Sequence, residues 1–284
     1  MREFSLPGPQ ARGVAHAAAR QGGDWFERLA RAGFAAKGIV YILVGMIAAA
    51  AAWGGGSAQG SEGALRTLYD EPLGRVLLAV IAVGLAGYVL WRFVAAFANP
   101  ENDDIGKRVF AFFSGLAYAG LAFETGRTAL SGFGGGNGGG DRAAAHWTGV
   151  VMAQPLGVIA VGLAGAFFIG YGVYQMYKGL RADVVHRLDL RAMSSARTDW
   201  MVRVGRIGVA ARGVVLGLIG LFLVVAALQA DPGEARAMGG TLRTLRQQPY
   251  GPWLLGLVAA GLIAYGIFQL VKARYRRIAR PAMT

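Results

Sequence analysis

Four basic residues and one acidic residue lie inside stretches otherwise apolar enough to cross a membrane: Lys37, Arg92, Glu124, Arg127 and Arg212. An ionisable group at membrane depth marks a ligand, a pathway or a buried partner unless it can reach the headgroups. Glu124 and Arg127, three residues apart in "LAFETGRTAL", share one helix face within pairing distance. Glu124 lies seven residues before Ser131, about 10 Å inside its apolar run, which is too deep for a short side chain to escape. Two chemistries fit that pair equally: an ion pair that neutralises itself, or a carboxylate that titrates or contacts a cation. Lys37 is different, because the 16 residues from Trp53 back to it cover about 24 Å of a ~30 Å core. A lysine there can extend its ammonium to the nearer headgroups, and Arg212 and Arg92 are within the same reach.

Other chemistry is absent from the pattern. The chain has no cysteine, which excludes disulfides, thiolate metal sites and cysteine nucleophiles. His16, His146 and His186 share no ligand spacing. No Ser/His/Asp arrangement can be assembled, and paired carboxylates occur only in loops such as Asp103–Asp104. Neither glycine-rich segment, 54–63 or 131–142, carries the GK[ST] ending of a phosphate loop, so both are expected to be flexible linkers. No enzyme, metal or cofactor is expected.

The elements that carry these charges are six apolar runs near 33–53, 74–97, 109–131, 155–177, 207–229 and 251–271. Each is about the 20 residues that a spanning helix needs, and none alternates as a barrel strand would. With 55% hydrophobic and 16% charged residues, the composition agrees. The first 32 residues hold no signal-peptide core, so no cleaved targeting sequence is expected. The net charge of +13 is distributed by loop rather than patched for nucleic acid: 19 of the 29 Lys/Arg fall in 1–32, 98–108, 178–206 and 272–284, and six in the alternate connections. Basic loops mark the cytoplasmic side, which puts both termini inside, where the same charges attract anionic lipid headgroups.

The chain repeats itself. "WFERLARAGFAAKGIVYILVG" (25–45) aligns without gaps on "WMVRVGRIGVAARGVVLGLIG" (200–220), and "KRVFAFFSGLAYAG" from Lys107 is a looser middle copy. Arg31, Arg108 and Arg206 correspond, as do Gly38, Gly115 and Gly213. "EPLG" (71–74), "QPLG" (154–157) and "QPYG" (248–251) open each second helix, with proline expected in its first turn, and "YVLWR" (88–92), "YGVYQ" (171–175) and "YGIFQ" (265–269) close it. "LRTL" at 65–68 and 242–245 suggests short amphipathic helices on the outer surface. Three units follow: 25–100, 101–181 and 200–277, with a disordered tail expected at 1–24, a cytoplasmic linker at 182–199 and a tail at 278–284. Same-sense repeats imply an axis along the membrane normal. The expected fold is all-α: six transmembrane helices as three parallel tandem hairpins in a pseudo-threefold bundle, with a linear row of hairpins as the alternative.

With "ARAGFAAKGIVYILVG" opening the first unit, the chain resembles a bacterial membrane-protein family known as domain of unknown function 1206, described as three copies of a two-helix unit. The resemblance covers nearly all of 25–277 and is tight in the first and third copies. The middle copy departs from it, with Phe110 and Ser114 in place of a glycine and a base. What it implies is architecture and a place in the bacterial plasma (inner) membrane; it supplies no catalytic residue.

The glycines Gly38, Gly115 and Gly213 are expected to pack helices closely, since small residues let backbones meet in lipid. Lys37, Ser114 and Arg212, with Arg92, Gln175 and Gln269, form an inner polar ring. It is expected to snorkel to headgroups; the alternative faces the axis as a cationic vestibule favouring anions. The expected function is a non-enzymatic scaffold or regulatory protein that binds lipids or other helices. A channel or transporter using Glu124 and the ring is the alternative.

Overall fold

A computed structural model describes residues 9–54, 58–98, 104–132, 139–181 and 195–276. The chain forms α1 (Pro9–Trp53), α2 (Ser61–Tyr69), α3 (Gly74–Phe97), α4 (Ile105–Ser131), α5 (Gly139–Met152), α6 (Gly157–Leu180), α7 (Ser195–Gln229), α8 (Met238–Gln247) and α9 (Gly251–Tyr275). No strand occurs among the described residues. Six stretches, in α1, α3, α4, α6, α7 and α9, are long and apolar enough to cross a membrane, as the sequence predicts. One helix and the extension of another are additions to the expected elements. α1 starts at Pro9, inside the segment read as a tail, because proline suits the first helical position and the alanine-rich stretch behind it favours helix. α5 begins where a linker was expected, at Gly139. Positions 182–194 of the expected linker, 277 of the third unit and 278–284 of the tail lie outside the described residues.

The three "PLG/PYG" stretches share one turn. The amides of Gly74, Gly157 and Gly251 donate to the carbonyls of Glu71, Gln154 and Gln248. Leu73, Leu156 and Tyr250 sit between at φ 64°, 64° and 61°. That is the left-handed third position of a type II turn, following proline. Pro72, Pro155 and Pro249 therefore lie in the turn, one residue before the N-cap, and not in the helix. Pro252 does occupy the first turn of α9.

Arg31, Arg108 and Arg206 each reach out of their own unit to the end of the preceding one. Arg206 donates from Nε to Gly179 O at 3.0 Å and from Nη2 to Leu180 O at 2.8 Å, at the C-terminus of α6. Arg108 does the same at the end of α3, to Ala96 O at 2.9 Å and Phe97 O at 3.4 Å. Arg31 closes the cycle on the end of α9, to Ala273 O at 2.8 Å and Arg274 O at 2.5 Å. A helix C-terminus has four orphan carbonyls and a partial negative charge, so a guanidinium there satisfies both.

The cyclic capping matches the packing. α1, α3 and α4 form one run and α6, α7 and α9 another, joined where α9 meets α1. The most extensive interfaces (α6 with α7, α1 with α9, α3 with α4) run between units, not within them. Glycines explain this: a Cβ on Gly38 would lie 2.8 Å from Gly266 O, and one on Gly213 would lie 2.7 Å from Gly172 O. Gly115 is looser, its Cβ position 3.3 Å from side-chain atoms of Arg92 and Phe93. Within units, α1 packs on α3 and α7 on α9, but α4 and α6 have no comparable interface. The two spanning helices thus pack on each other in the first and third units and not in the middle one.

Two matched positions give the reason: where Gly84 and Gly261 meet Ala36 and Ala211, with added Cβ atoms 2.6 Å and 2.2 Å from the alanine Cβ atoms, the middle unit has Phe167, and a second position differs as well. Gly33 and Gly208 let α1 and α7 settle on the backbone of Tyr88 and Tyr265; added Cβ atoms would lie 2.7 Å and 2.5 Å from the tyrosine Cα atoms. The matching pair in the middle unit is Phe110 and Tyr171, whose rings stack with centroids 4.0 Å apart. An aromatic pair occupies the space that a glycine vacates, and it wedges α4 from α6.

Candidate functional site

Lys37 does not reach the lipid. Its side chain lies on the part of α1 enclosed by α3 and α9 and is 2% exposed. Its Nζ donates to the Tyr88 hydroxyl at 2.9 Å and lies 4.5 Å from the ring centroids of both Tyr88 and Tyr118. Hydroxyl and π faces replace the headgroups as partners for the ammonium, which is why snorkelling, the expected outcome, does not occur. Arg212, also buried, donates from Nε to Tyr41 OH at 3.2 Å, and its guanidinium lies 5.2 Å from the Tyr265 centroid. Arg92 donates from Nε to Ser114 Oγ at 3.2 Å and lies 5.2 Å from the Phe110 centroid.

Five of the six ring positions, Lys37, Arg92, Gln175, Arg212 and Gln269, line one cavity of about 610 Å³, and Ser114 stands behind Arg92. Seven lining residues are basic and one, Asp104, is acidic, paired with Lys107 at 3.3 Å. Lys272 and Arg276 extend the basic lining toward the termini. No carboxylate lies within ion-pair distance of Lys37, Arg92 or Arg212 among the described residues. Gln269 is buried with no partner for its Oε1, and it lines this cavity. Like charges held together at low dielectric repel, and an anion among them would relieve that repulsion while accepting charge-assisted hydrogen bonds.

The lining comes from the half of each spanning helix nearest the termini. Beyond Tyr41 the bundle is filled: Val44, Ala48, Leu78, Leu85, Leu255 and Leu262 are fully buried in one cluster. The cavity is a vestibule with an apolar floor.

Glu124 and Arg127 are elsewhere. They form an ion pair at 2.5 Å with side chains 37% and 43% exposed, and neither lines the cavity. The two groups of candidates are thus not brought together. Sequence reasoning missed the tyrosines that hold the cations, although Tyr41/Tyr118 and Tyr88/Tyr171/Tyr265 recur in the repeat and gave the available signal. It also missed Asp141, whose Oδ1 accepts from the amides of Ala237 and Gly240, both at 3.0 Å, and whose Oδ2 pairs with Arg243. A lone aspartate beside a glycine-rich segment carries no sign of its partner helix 96 residues away.

A family profile described as Domain of Unknown Function (DUF1206) matches residues 32–99, 110–182 and 207–276, one match per unit. The chain belongs to the DUF1206 family. Its match to "Uncharacterized protein YxxB" of Bacillus subtilis (strain 168) is 37% identical over 259 residues, covering 89% of this chain and 92% of that protein. No solved structure matches it. For the DUF1206 fold, the comparisons and the six apolar helices together give a multi-pass membrane protein with a bacterial relative.

Proposed function

We propose that this DUF1206 protein is a non-enzymatic membrane scaffold or regulator that works by binding an anionic group in the cationic vestibule, at the cytoplasmic face. The supporting observation is the convergence of Lys37, Arg92 and Arg212 on one cavity, with no carboxylate within ion-pair distance of them among the described residues. The cavity volume is that of a small-molecule site. The three bases donate to the anion, the tyrosine hydroxyls hold them in place, and Gln269 adds a donor through its amide nitrogen. The cytoplasmic assignment rests on the distribution of basic residues among the loops.

Transport is the second reading, favoured by the convergence of polar side chains from all three units. The packed apolar half beyond Tyr41 opposes it, as does the outward position of Glu124. Thermal unfolding of the purified chain in neutral detergent tests the primary reading. Inorganic pyrophosphate raises Tm in the native chain, beyond an equal ionic strength of sodium chloride, and the rise disappears in Lys37→Gln/Arg212→Gln. No rise, or an equal rise in the variant, contradicts it. Flux of chloride or phosphate from proteoliposomes would decide for transport.

A further inference from the structure

We infer that the anion is the headgroup of an anionic phospholipid, which enters sideways between α4 and α6 and leaves its acyl chains in that seam. The inference rests on the anion-binding reading and goes beyond it in naming the ligand class and route.

The cavity has two openings: one among the exposed Asp104 and Lys107 at the start of α4, and one on the side of the bundle, which gives the route. Phe167 and Tyr174 line the cavity yet are 49% and 48% exposed on the outside of the bundle, so the cavity reaches the surface between them and α4. Phe167 is ten residues from the start of α6 at Gly157 and thirteen from its end at Leu180, about 15 Å and 20 Å along the helix. At that depth in a ~30 Å hydrocarbon core the opening meets acyl chains, not water. A soluble anion needs only the opening at Asp104 and Lys107 and has no use for this second one. An amphiphile does: its phosphate reaches Lys37 and Arg212, and its chains stay level with Phe167 and Leu163 on the lipid-facing side of α6. Phe110 stacked on Tyr171 crosses the seam and acts as its latch. The glycines that close the equivalent seams in the other two units are missing only here.

The absence of cysteine permits a direct test on the full chain. Phe110→Cys/Tyr171→Cys introduces the only two thiols, one on each side of the seam, and a short bis-maleimide joins them. Purified protein in neutral detergent is offered phosphatidylglycerol or phosphatidylcholine of identical chains, and bound lipid is read by native mass spectrometry. Pyrophosphate stabilisation is measured in parallel. The expectation is that phosphatidylglycerol is retained about tenfold or more over phosphatidylcholine, as charge-assisted contacts imply. Lys37→Gln/Arg212→Gln loses that preference. Compared with the same double-cysteine protein before cross-linking, the cross-link abolishes uptake of phosphatidylglycerol and does not change the pyrophosphate stabilisation which that protein shows, so the locked protein is folded. Uptake unaffected by the cross-link overturns the lateral route. Pyrophosphate binding without a preference for phosphatidylglycerol overturns the lipid, leaving anion binding standing. Failure of both ligands in the native chain overturns both readings.

Discussion

The first and third units bury a glycine against a tyrosine backbone where the second stacks Phe110 on Tyr171. Phe110 and Phe167 stand where the other units have glycines, and a seam takes the place of a tight helix pair beside the cationic cavity. The comparison teaches that in a tandem repeat the copy that strays from the motif is the place to look for function. The copies that keep it supply the frame: glycine contacts between units, arginine caps on the neighbouring helix ends, and three like turns.

The frame should fail first when its glycines are filled. Gly38→Ala and Gly213→Ala each push a methyl onto a facing carbonyl and should cost about 2–3 kcal/mol, against under about 1 kcal/mol for Gly115→Ala, whose neighbours are movable side chains. Unfolding by SDS titration in mixed micelles measures all three; equal costs would erase the distinction between tight and loose interfaces. A smaller loss, about 1–2 kcal/mol, is expected from Arg206→Ala, which strips two carbonyls of a charged donor. Hydrogen exchange should then rise at the end of α6, in the neighbouring unit, and not at α7, where the substitution lies. The smallest effect has the opposite sign: Leu156→Gly relieves a left-handed non-glycine residue and should stabilise the protein by about 1 kcal/mol in the same titration. Destabilisation there would mean that the exposed leucine contributes more as a membrane anchor than it costs as strain.

The sequence carried the scaffold well. Six apolar runs, the repeat offsets and the packing glycines are local patterns, and each reappears as a helix, a unit or a close contact. What it could not carry was direction. Lys37 lies within snorkelling distance of the headgroups by any depth count, but whether it goes there depends on which helices flank it, and that is set by glycines on α9 and tyrosines on α3 and α4. Glu124 looked like the deepest problem because depth was the available measure. Its outward face and its pairing with Arg127 follow from how α4 is rotated, which periodicity in so uniformly apolar a helix does not reveal. Phe110 was visible as a departure from the motif, but its consequence needed the partner tyrosine.

The seam claim has its most direct test in Phe110→Gly/Phe167→Gly, which gives the middle unit the residues found at both positions in the other two and leaves every cavity cation in place. Phosphatidylglycerol bound per chain is compared with the native protein by native mass spectrometry. Closure of α4 onto α6 should reduce it about tenfold or more while pyrophosphate stabilisation persists. Undiminished phosphatidylglycerol binding in Phe110→Gly/Phe167→Gly would contradict the assignment of the wedged middle unit as the lipid entrance.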